Sequence, residues 1–409
     1  MAQSVTPRAT GPRLASRLAQ LEGETAYAVF EAAAAVAAQG IKVYPFHLGD
    51  LNIPTPAPIV DAALRAIREG KTGYAPAAGI MPLREALADE VTRLHGIGYV
   101  ADNVAVQSGG SHVILKFVQV ATDPGDEVLY PVPGFLIYES TIQFYGAVAT
   151  PYRLVDTGAG FKIDLDHLAA QITPRTRALI LNNCQNPTAA ESDRRELERI
   201  AELVQKHDLL VMADDAYAEI RYEGETQFLQ SLPGMADRTV TLYTFSKKYA
   251  MTGWRLGAAI ATPPIVQAFA ALSTNESGTA NFTQWAGLEA LRGDQTGVGR
   301  LLATLKDRRD VTLEILAGID GLRLHRPLST IYIYPEVSRV MERVGVADVR
   351  GFAAAALQHT GVSFCTRRNF GRPMPGEQGL YIRLAFSGID TAEIREGLGR
   401  LKDWIEGRQ

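Results

Sequence analysis

The chain has 409 residues, which is too long for one ordinary hydrophobic core, so we expect two domains or one large domain with an appendage. It is 46% hydrophobic and 21% charged, with a net charge of −4. This balance argues against a nucleic-acid-binding protein, which would show a basic excess or a basic patch. No stretch has the roughly 18 consecutive apolar residues that a membrane-spanning helix requires.

The cysteines and histidines restrict the remaining kinds of site. Two cysteines, Cys184 and Cys365, cannot build a disulfide framework, and a reducing cytoplasm is the simplest location for such a chain. The seven histidines are scattered, and the sequence contains neither HExxH nor CxxC, so a metal site has little support. We therefore predict a cytoplasmic protein without a metal.

The first 13 residues, MAQSVTPRATGPR, have neither an apolar core nor a cleavage pattern. We expect them to form a disordered tail and not a secretory signal. Helical periodicity follows, interrupted by loops that carry Gly49 and Tyr74. The elements predicted in this part are helices over 16–40, 59–68 and from Pro82 onward, and a short strand over 42–46.

Between residues 104 and 261, short apolar runs alternate with amphipathic helices, a pattern typical of a mostly parallel sheet covered by helices on both faces. The predicted strands are 104–106, 126–130, 178–181, 209–213 and 240–243. After residue 261 strands and long helices are segregated, which predicts a smaller α+β domain. Its predicted elements are helices over 284–291, 300–316 and 349–359, and strands over 330–334 and 380–386.

We therefore expect an α/β fold with a large and a small domain. The predicted parts are a tail over 1–13, an N-terminal segment over 14–48 that packs with the small domain, a large domain over 49–298 and a small C-terminal domain over 299–409. In open α/β sheets, ligands bind beyond the carboxyl ends of the strands, so we expect the functional site at that edge.

Residues 244–257, TFSKKYAMTGWRLG, carry the strongest chemical signal. Lys247 follows a run of strand-forming residues, and burial at a strand end disfavours the charged form of a lysine and makes its amine a nucleophile. Arg255, eight positions later, suits a phosphate. A buried imine-forming lysine beside a phosphate-binding arginine is what pyridoxal phosphate requires, although Lys/Arg pairs at this spacing are also common on solvated helix faces.

Other side chains follow the remaining predicted strands. Gly109, Gly110 and Ser111 offer backbone N–H groups and a helix start to a phosphate. The carboxylate, amide and aromatic candidates at other strand ends are Asp214, Asn186 and Phe135. Taken singly, each has a simpler explanation as a turn, a helix cap or a core side chain. Their convergence at one edge of the sheet favours a shared ligand.

In order and spacing, these residues resemble the fold type I pyridoxal phosphate enzymes, specifically the class I/II aminotransferases that are similar to aspartate aminotransferase. The resemblance covers nearly the whole chain from Ser16 onward and is most specific in SKKYAMTGWRLG, where Lys247 matches the lysine of the internal aldimine. It implies an enzyme that moves the amino group of an L-amino acid to a 2-oxo acid by a ping-pong mechanism through an aldimine and a ketimine. Lys247 would be its catalytic base.

The resemblance implies a role for each member of the cofactor set. Phosphate binding is implied for Thr244, Arg255, Gly109, Gly110 and Ser111. Asp214 would pair with the ring nitrogen and keep it protonated, so that the ring accepts electrons when the Cα–H bond breaks. Tyr217 and Asn186 would contact the phenolic oxygen of the cofactor, and Phe135 would stack on its ring.

Two further matches concern the substrate and the subunits. Arg383, in LYIRLAF, matches the arginine that pairs with the substrate α-carboxylate, assisted by the loop at Gly49. Tyr74, in KTGYAPAAGIMPLREAL, matches a residue that reaches the phosphate in the neighbouring subunit, which implies a homodimer. The implied partners are amino acid and 2-oxo acid substrates and a second copy of the chain, with no nucleic acid and no membrane.

The sequence departs from the family pattern where substrate choice is set. Cys184 stands where a proline is common, Ala189 where a glycine is usual, and residues 329–331 where smaller and aromatic residues often line the substrate pocket. Arg367 and Arg368 replace the more usual Pro-Gly turn. They are candidates to meet an acidic substrate side chain, although exposed surface arginines are commoner.

Two other functions are open at this point. The same fold carries enzymes that eliminate, decarboxylate or oxidise amino acids, because one carbanion has several fates. A regulator with an aminotransferase-like module would need a DNA-binding domain ahead of it, and the residues before Ser16 are expected to leave no room for one. We therefore predict an aminotransferase, with another cofactor-dependent reaction on an amino acid as the alternative.

Overall fold

The computed structural model describes residues 15–21 and 26–407, and the predicted N-terminal tail lies outside them. A short 3-10 helix, Ser16–Leu21, comes first. The α-helices that follow are α1 (Ala26–Ala37), α2 (Ala57–Arg68), α3 (Met81–His95), α4 (Gly110–Ala121), α5 (Ile137–Phe144), α6 (Leu165–Ala170), α7 (Arg194–Lys206), α8 (Pro263–Asn275), α9 (Asn281–Arg292), α10 (Thr296–Ala317), α11 (Ser338–Arg343), α12 (Val349–Thr360) and α13 (Thr391–Ile405). The strands are β1 (Tyr44–Pro45), β2 (Val104–Gln107), β3 (Glu127–Val132), β4 (Val148–Asp156), β5 (Phe161–Ile163), β6 (Thr176–Leu181), β7 (Leu210–Asp214), β8 (Thr239–Thr244), β9 (Gly257–Ile260), β10 (Tyr332–Ile333), β11 (Val362–Ser363), β12 (Cys365–Thr366) and β13 (Ile382–Ala385).

The largest sheet has eight strands in the order β2-β9-β8-β7-β6-β3-β4-β5. The central run from β8 through β7, β6 and β3 to β4 is parallel. β9 and β5 run antiparallel to their neighbours. In the parallel run, the carboxyl ends of β3, β6, β7 and β8 lie at the same edge of the sheet. The candidate site residues follow these strand ends in the sequence.

Helices cover both faces of this sheet. Successive strand residues belong to different core clusters: Val128 packs with Phe117 of α4, whereas Leu129 packs with Ile200 of α7. Since neighbouring side chains of a strand point to opposite faces, both faces are buried. This explains why the central strands are continuous apolar runs in the sequence.

The C-terminal part is built around a second hydrophobic cluster, which also takes in residues that follow the central strands, such as Tyr217 and Ile220. Tyr44 and Phe46, from the β1 region, pack there with Leu305 of α10, Phe352 of α12 and Leu398 of α13. β1 pairs in parallel with β11, and β10, β13 and β12 form a small antiparallel sheet. The N-terminal strand therefore packs with the C-terminal part of the chain.

The α/β fold class predicted from the sequence is confirmed, with differences at particular elements. The helical segment predicted over 16–40 contains a 3-10 helix and α1, separated by residues outside the described part. The sequence patterns do not predict β4 and β5. β5 is the edge strand and β4 lies next to it with partly exposed residues and a proline, Pro151, so neither has a strong apolar signal.

Neither a membrane span nor a metal site is found in residues 15–21 and 26–407. None of the helices there is long and apolar enough to cross a membrane, and no group of three or more His, Cys, Asp or Glu side chains is placed to hold a metal ion. Cys184 and Cys365 are both free and buried. Burial raises the pKa of Cys184 to about 12, so its thiol is unreactive at neutral pH.

Candidate active site

A cavity of about 270 Å³ lies beyond the carboxyl ends of the parallel strands, with β10 and β13 contributing to its wall. Its volume is near the lower end of the range for small-molecule sites. The cavity brings together most of the predicted site residues, namely Gly49, Gly110, Ser111, Phe135, Asn186, Asp214, Tyr217, Thr244, Lys247, Arg255 and Arg383. They come from loops that are far apart in sequence and meet only in the fold.

Two adjacent lysines follow β8, and the fold gives their amines opposite properties. Lys247 lines the cavity, where its Nζ donates a hydrogen bond to the carbonyl oxygen of Gly49, and burial lowers its pKa to about 8. Lys248 forms ion pairs of 2.7 Å with Glu90 and with Glu219. Burial alone would lower the pKa of Lys248, but these carboxylates raise it above its usual value. Lys247 is therefore the one of the two whose amine loses its proton near neutral pH.

One end of the cavity is suited to an anion. α4 begins at Gly110, close behind β2, so its first N–H groups and the positive end of its dipole lie at the cavity wall. The hydroxyls of Ser111 and Thr244 belong to the same wall. Thr244 Oγ1 also donates a hydrogen bond to Ser246 Oγ at 3.0 Å, which fixes the loop that leads to Lys247. We refer to this region as the phosphate end.

Arg255 completes the phosphate end. Its Nη1 donates a hydrogen bond to the carbonyl oxygen of Thr252 at 2.8 Å, and no carboxylate within the described residues forms an ion pair with it. Gly109 lies directly against the guanidinium: an added Cβ would come within 2.6 Å of Nη2, and its φ of +91° also favours glycine. The close approach leaves the guanidinium beside the start of α4, where both can bind the same anion.

A buried carboxylate lies deeper in the cavity. Asp214 is the last residue of β7 and is 5% exposed. Its Oδ2 accepts a hydrogen bond from Tyr138 Oη at 2.5 Å, and its Oδ1 accepts one from the backbone N–H of Ala216 at 3.2 Å. Burial raises its pKa, while these two hydrogen bonds act in the opposite direction. A buried carboxylate held by neutral donors is suited to a positively charged ligand group.

A second part of the cavity wall holds a buried guanidinium. Arg383 is 3% exposed, its Nη2 donates to the carbonyl oxygen of His47 and its Nη1 donates to Asn186 Oδ1 at 3.3 Å. The guanidinium lies 4.6 Å from the ring centroid of Tyr332 and 5.0 Å from that of Phe370. Its Nε has no hydrogen-bond partner, and no described carboxylate pairs with it. A buried cation without a counter-ion suits a ligand carboxylate, and we refer to this region as the carboxylate end.

Gly49 and Tyr217 also line the cavity, and both lie next to Tyr332. The carbonyl oxygen of Gly49 accepts the hydrogen bond of Lys247, and a Cβ on Gly49 would come within 2.4 Å of Tyr332 Oη, so the loop requires glycine. Tyr217 Oη is hydrogen-bonded to Tyr332 Oη. Burial holds the pKa of Tyr217 well above its usual value, so the phenol keeps its proton.

Some predicted residues are not brought into this cavity. Tyr74 is 88% exposed and is not part of its wall. Arg367 is buried and forms an ion pair with Glu377, with 2.8 Å between Nη2 and Oε2, so its charge already has a partner within the chain, and it is not part of the cavity wall. Arg368 is exposed and outside the cavity wall.

Sequence reasoning assigned no role of their own to two tyrosines of the cavity, Tyr138 and Tyr332. Tyr138 lies three positions after Phe135, in the first turn of α5, and the stretch PGFLIY contains it. Tyr332 lies within the strand predicted over 330–334, but nothing in that pattern indicates which face of the strand meets the cavity. Both side chains act on partners distant in sequence, Asp214 and Tyr217.

A second cavity, of about 490 Å³, has Pro133, Tyr334 and Tyr381 in its wall. Its charges are compensated within the chain; Arg323, for example, lies 3.0 Å from Asp156. None of the predicted site residues belongs to this wall. The smaller cavity around Lys247 is therefore the candidate active site.

Comparison with known proteins gives a family match over most of the chain. Residues 42–401 match the family described as Aminotransferase class I and II. A probable aspartate/prephenate aminotransferase of Aquifex aeolicus is 31% identical over 400 residues, which is 96% of this chain and 98% of that protein. An arginine–pyruvate transaminase of Pseudomonas aeruginosa is 33% identical over 381 residues, which is 93% of this chain and 94% of that protein.

Solved structures show the same fold. A double mutant of Thermus thermophilus aspartate aminotransferase superposes with a TM-score of 0.88 at 30% identity and covers 96% of this chain and 100% of that one. An alanine aminotransferase from Pyrococcus furiosus gives a TM-score of 0.88 at 27% identity over 97% of this chain and 100% of that one. The likeness extends over both the large sheet and the C-terminal part.

Proposed function

The chain belongs to the class I and II aminotransferases, a family that depends on pyridoxal phosphate, and we propose that the cavity at Lys247 is its site of amino transfer from an L-amino acid to a 2-oxo acid. The relatives are named as transaminases, which does not favour elimination, decarboxylation or oxidation. The observation that carries the proposal is the position of Lys247. Its amine, with a pKa lowered to about 8, lies in one cavity with an anion site at one end and a buried guanidinium at the other.

The residues present fit the cofactor. The guanidinium of Arg255, the hydroxyls of Ser111 and Thr244 and the start of α4 at Gly110 gather donors, and no carboxylate of the described residues forms an ion pair with Arg255. Gly109 leaves room for that arrangement, because a Cβ there would meet the guanidinium. These residues would hold the phosphate. The remaining proposed contacts are Asp214 to the ring nitrogen, Asn186 and Tyr217 to the phenolic oxygen and Phe135 to the ring face.

Each protein group then has a defined task in the reaction. When bound, the cofactor supplies a ring that accepts the electrons of the substrate Cα–H bond as it breaks. Asp214 would hold the proton of the ring nitrogen in place, since a buried carboxylate favours a cationic partner. Nζ of Lys247 would take the proton from the substrate Cα. Its pKa of about 8 is close to the operating pH, which is the condition for an efficient general base.

Arg383 would select the substrate. Its buried guanidinium would bind the α-carboxylate through two N–H groups, with the Gly49 loop closing the same end. The relatives are named for donors with different side chains, aspartate and arginine. What such donors share is the α-amino acid group, so recognition at Arg383 would be common to all of them.

We also propose a homodimer in which Tyr74 completes the cavity of the neighbouring subunit at its phosphate end. Tyr74 is exposed in the single chain and lies outside its own cavity. Leu64, Ile67 and Met81, on the helices before and after the Tyr74 loop, are exposed as well. Exposed apolar side chains in one region are typical of a protein–protein interface.

Location and domain organisation are part of the same proposal. In the cytoplasm, Cys184 and Cys365 would stay reduced. The predicted division is a small domain over 299–409, with which the N-terminal segment predicted over 14–48 packs, beside a large domain over 49–298; the contacts of Tyr44 and Phe46 with Leu305, Phe352 and Leu398 support it.

A spectral titration with amino acids tests the function. The purified protein should be yellow, and a productive donor should convert the chromophore to the aminated cofactor with one equivalent of 2-oxo acid released. Addition of a 2-oxo acid should restore the yellow form. Release of 2-oxo acid without an equivalent conversion of the cofactor would contradict amino transfer.

A further inference from the structure

Tyr332 contacts both Tyr217 and Arg383, although none of the proposed roles includes it. Its Oη is hydrogen-bonded to Tyr217 Oη, and its ring faces the guanidinium of Arg383 at 4.6 Å. The same hydroxyl lies where a Cβ of Gly49 would be, within 2.4 Å. Tyr332 is 2% exposed and lies on β10, paired with Ala385 of β13, the strand that carries Arg383. Its position is therefore fixed by the sheet and not by a flexible loop.

The hydroxyl pair contains two protons and one bridging hydrogen bond. Burial raises the pKa of Tyr217 and of Tyr332, so both phenols keep their protons at neutral pH. If Tyr217 donates the bridging bond, its proton is no longer available to a ligand. If Tyr332 donates it, the proton of Tyr217 is free, and a phenol that accepts a hydrogen bond is itself a stronger donor.

We propose that Tyr332 is a positioning residue for amino transfer, and this inference rests on the proposed function. Its hydroxyl donates to Tyr217 and thereby directs the proton of Tyr217 to the phenolic oxygen of the cofactor. Its ring holds the guanidinium of Arg383 in place for the substrate carboxylate. One side chain thus sets the electronic state at the cofactor and the geometry at the carboxylate end.

Two substitutions separate the hydroxyl from the ring. Tyr332→Phe keeps the ring but removes the hydroxyl that donates to Tyr217. Tyr217 then donates a weaker hydrogen bond to the phenolic oxygen of the cofactor, which therefore carries more negative charge. The nitrogen that joins Lys247 to the cofactor consequently holds its proton more tightly. The pKa of the yellow chromophore, read from its visible absorbance, should rise by about 0.7 unit. The affinity for the α-methyl analogue of the best amino donor, which has no Cα proton, should change less than about twofold because the ring is still present.

Tyr332→Leu removes both parts. The pKa of the chromophore should rise as in Tyr332→Phe, and the affinity for the α-methyl analogue should fall by about fivefold. Equal affinities in the two variants would overturn the role of the ring.

Tyr334→Phe is the matched control. Tyr334 lies two positions further along the chain, is also buried, and its hydroxyl has no hydrogen-bond partner in the described part of the chain. Its substitution should change neither the pKa of the chromophore nor the affinity. If the chromophore of Tyr332→Phe has the same pKa as the chromophores of Tyr334→Phe and the unchanged protein, the role of the Tyr332 hydroxyl is overturned.

A double substitution tests the path through Tyr217. In Tyr217→Phe protein, adding Tyr332→Phe should raise the pKa of the chromophore no further, because the proton that Tyr332 directs is absent. Additive shifts would contradict the proposal. A protein without a visible chromophore would instead refute the proposed function and with it the premise of this inference, so the two failures are distinguishable.

Discussion

The phosphate end and the carboxylate end both present an arginine that pairs with no carboxylate of the described residues, but they are built differently. At the phosphate end Arg255 is exposed, and its companions are Gly110, which begins α4 after β2, and Thr244, which ends β8 of the same sheet. At the carboxylate end Arg383 is 3% exposed, and Tyr332 reaches it from another strand of the C-terminal sheet. Water can solvate the exposed cation, whereas the buried one gains most from a ligand charge. Changes at the carboxylate end should therefore have the larger effect on substrate use.

The largest effect is expected at Arg383. Arg383→Lys replaces a planar fork by a point charge and cannot pair with a carboxylate through two parallel hydrogen bonds. The value of kcat/KM should fall by roughly 100- to 1,000-fold, as for a broken buried charge pair. Steady-state kinetics with the best donor measure it, and Arg368→Lys, outside the cavity, is the control that should stay within about twofold of the unchanged protein. A loss of similar size in Arg255→Lys would erase the distinction between the ends.

The burial of Lys247 predicts a pH effect on the apoprotein. Its pKa falls from 10.5 to about 8 in the folded chain, so between these values the unfolded state binds the extra proton. The free energy of unfolding should therefore rise with pH through this window, by at most about 3 kcal/mol from this group. Denaturant unfolding of the apoprotein at several pH values measures it. Lys247→Met should lack this rise, and identical pH profiles for the two proteins would refute the lowered pKa.

At the phosphate end, Gly109→Ala should weaken the cofactor site without unfolding the chain. The added Cβ would meet the guanidinium of Arg255 at 2.6 Å on a backbone with φ of +91°. Cofactor affinity of the apoprotein should fall by about tenfold, the equivalent of 1–2 kcal/mol of strain. Fluorescence titration with pyridoxal phosphate measures it. Gly253→Ala, in the same loop as Arg255 but with open space around it, should bind normally, and a loss there would implicate general loop disturbance.

The smallest effect concerns the loop that carries Asn186, which lines the cavity and accepts a hydrogen bond from Arg383. Ala189 in this loop has φ of 57°, a conformation that glycine adopts without strain. Ala189→Gly should raise the free energy of unfolding by about 0.5 kcal/mol, as measured by denaturant unfolding. Ala190→Gly, at an ordinary φ, should lower it, and a gain there would show that the strain argument is wrong.

The contrast between the ends also explains what the sequence could predict. The cofactor residues follow buried strands directly, so the apolar runs place Asp214 and Lys247 at one edge without knowledge of the fold. Tyr138 and Tyr332 act on partners 76 and 115 residues away, and no local pattern records such pairings. The ion pair between Arg367 and Glu377 could not be predicted either, because it forms across a loop.

Lys247 is the proposed attachment point of the cofactor, and the neighbouring Lys248 provides the sharpest comparison. Lys248 has the same chemistry one residue later but a raised pKa within its two ion pairs. Borohydride reduction of the yellow protein followed by peptide mapping should place the label on Lys247; it should persist in Lys248→Ala and vanish in Lys247→Ala. A label on Lys248, or on any other residue, would contradict the assignment.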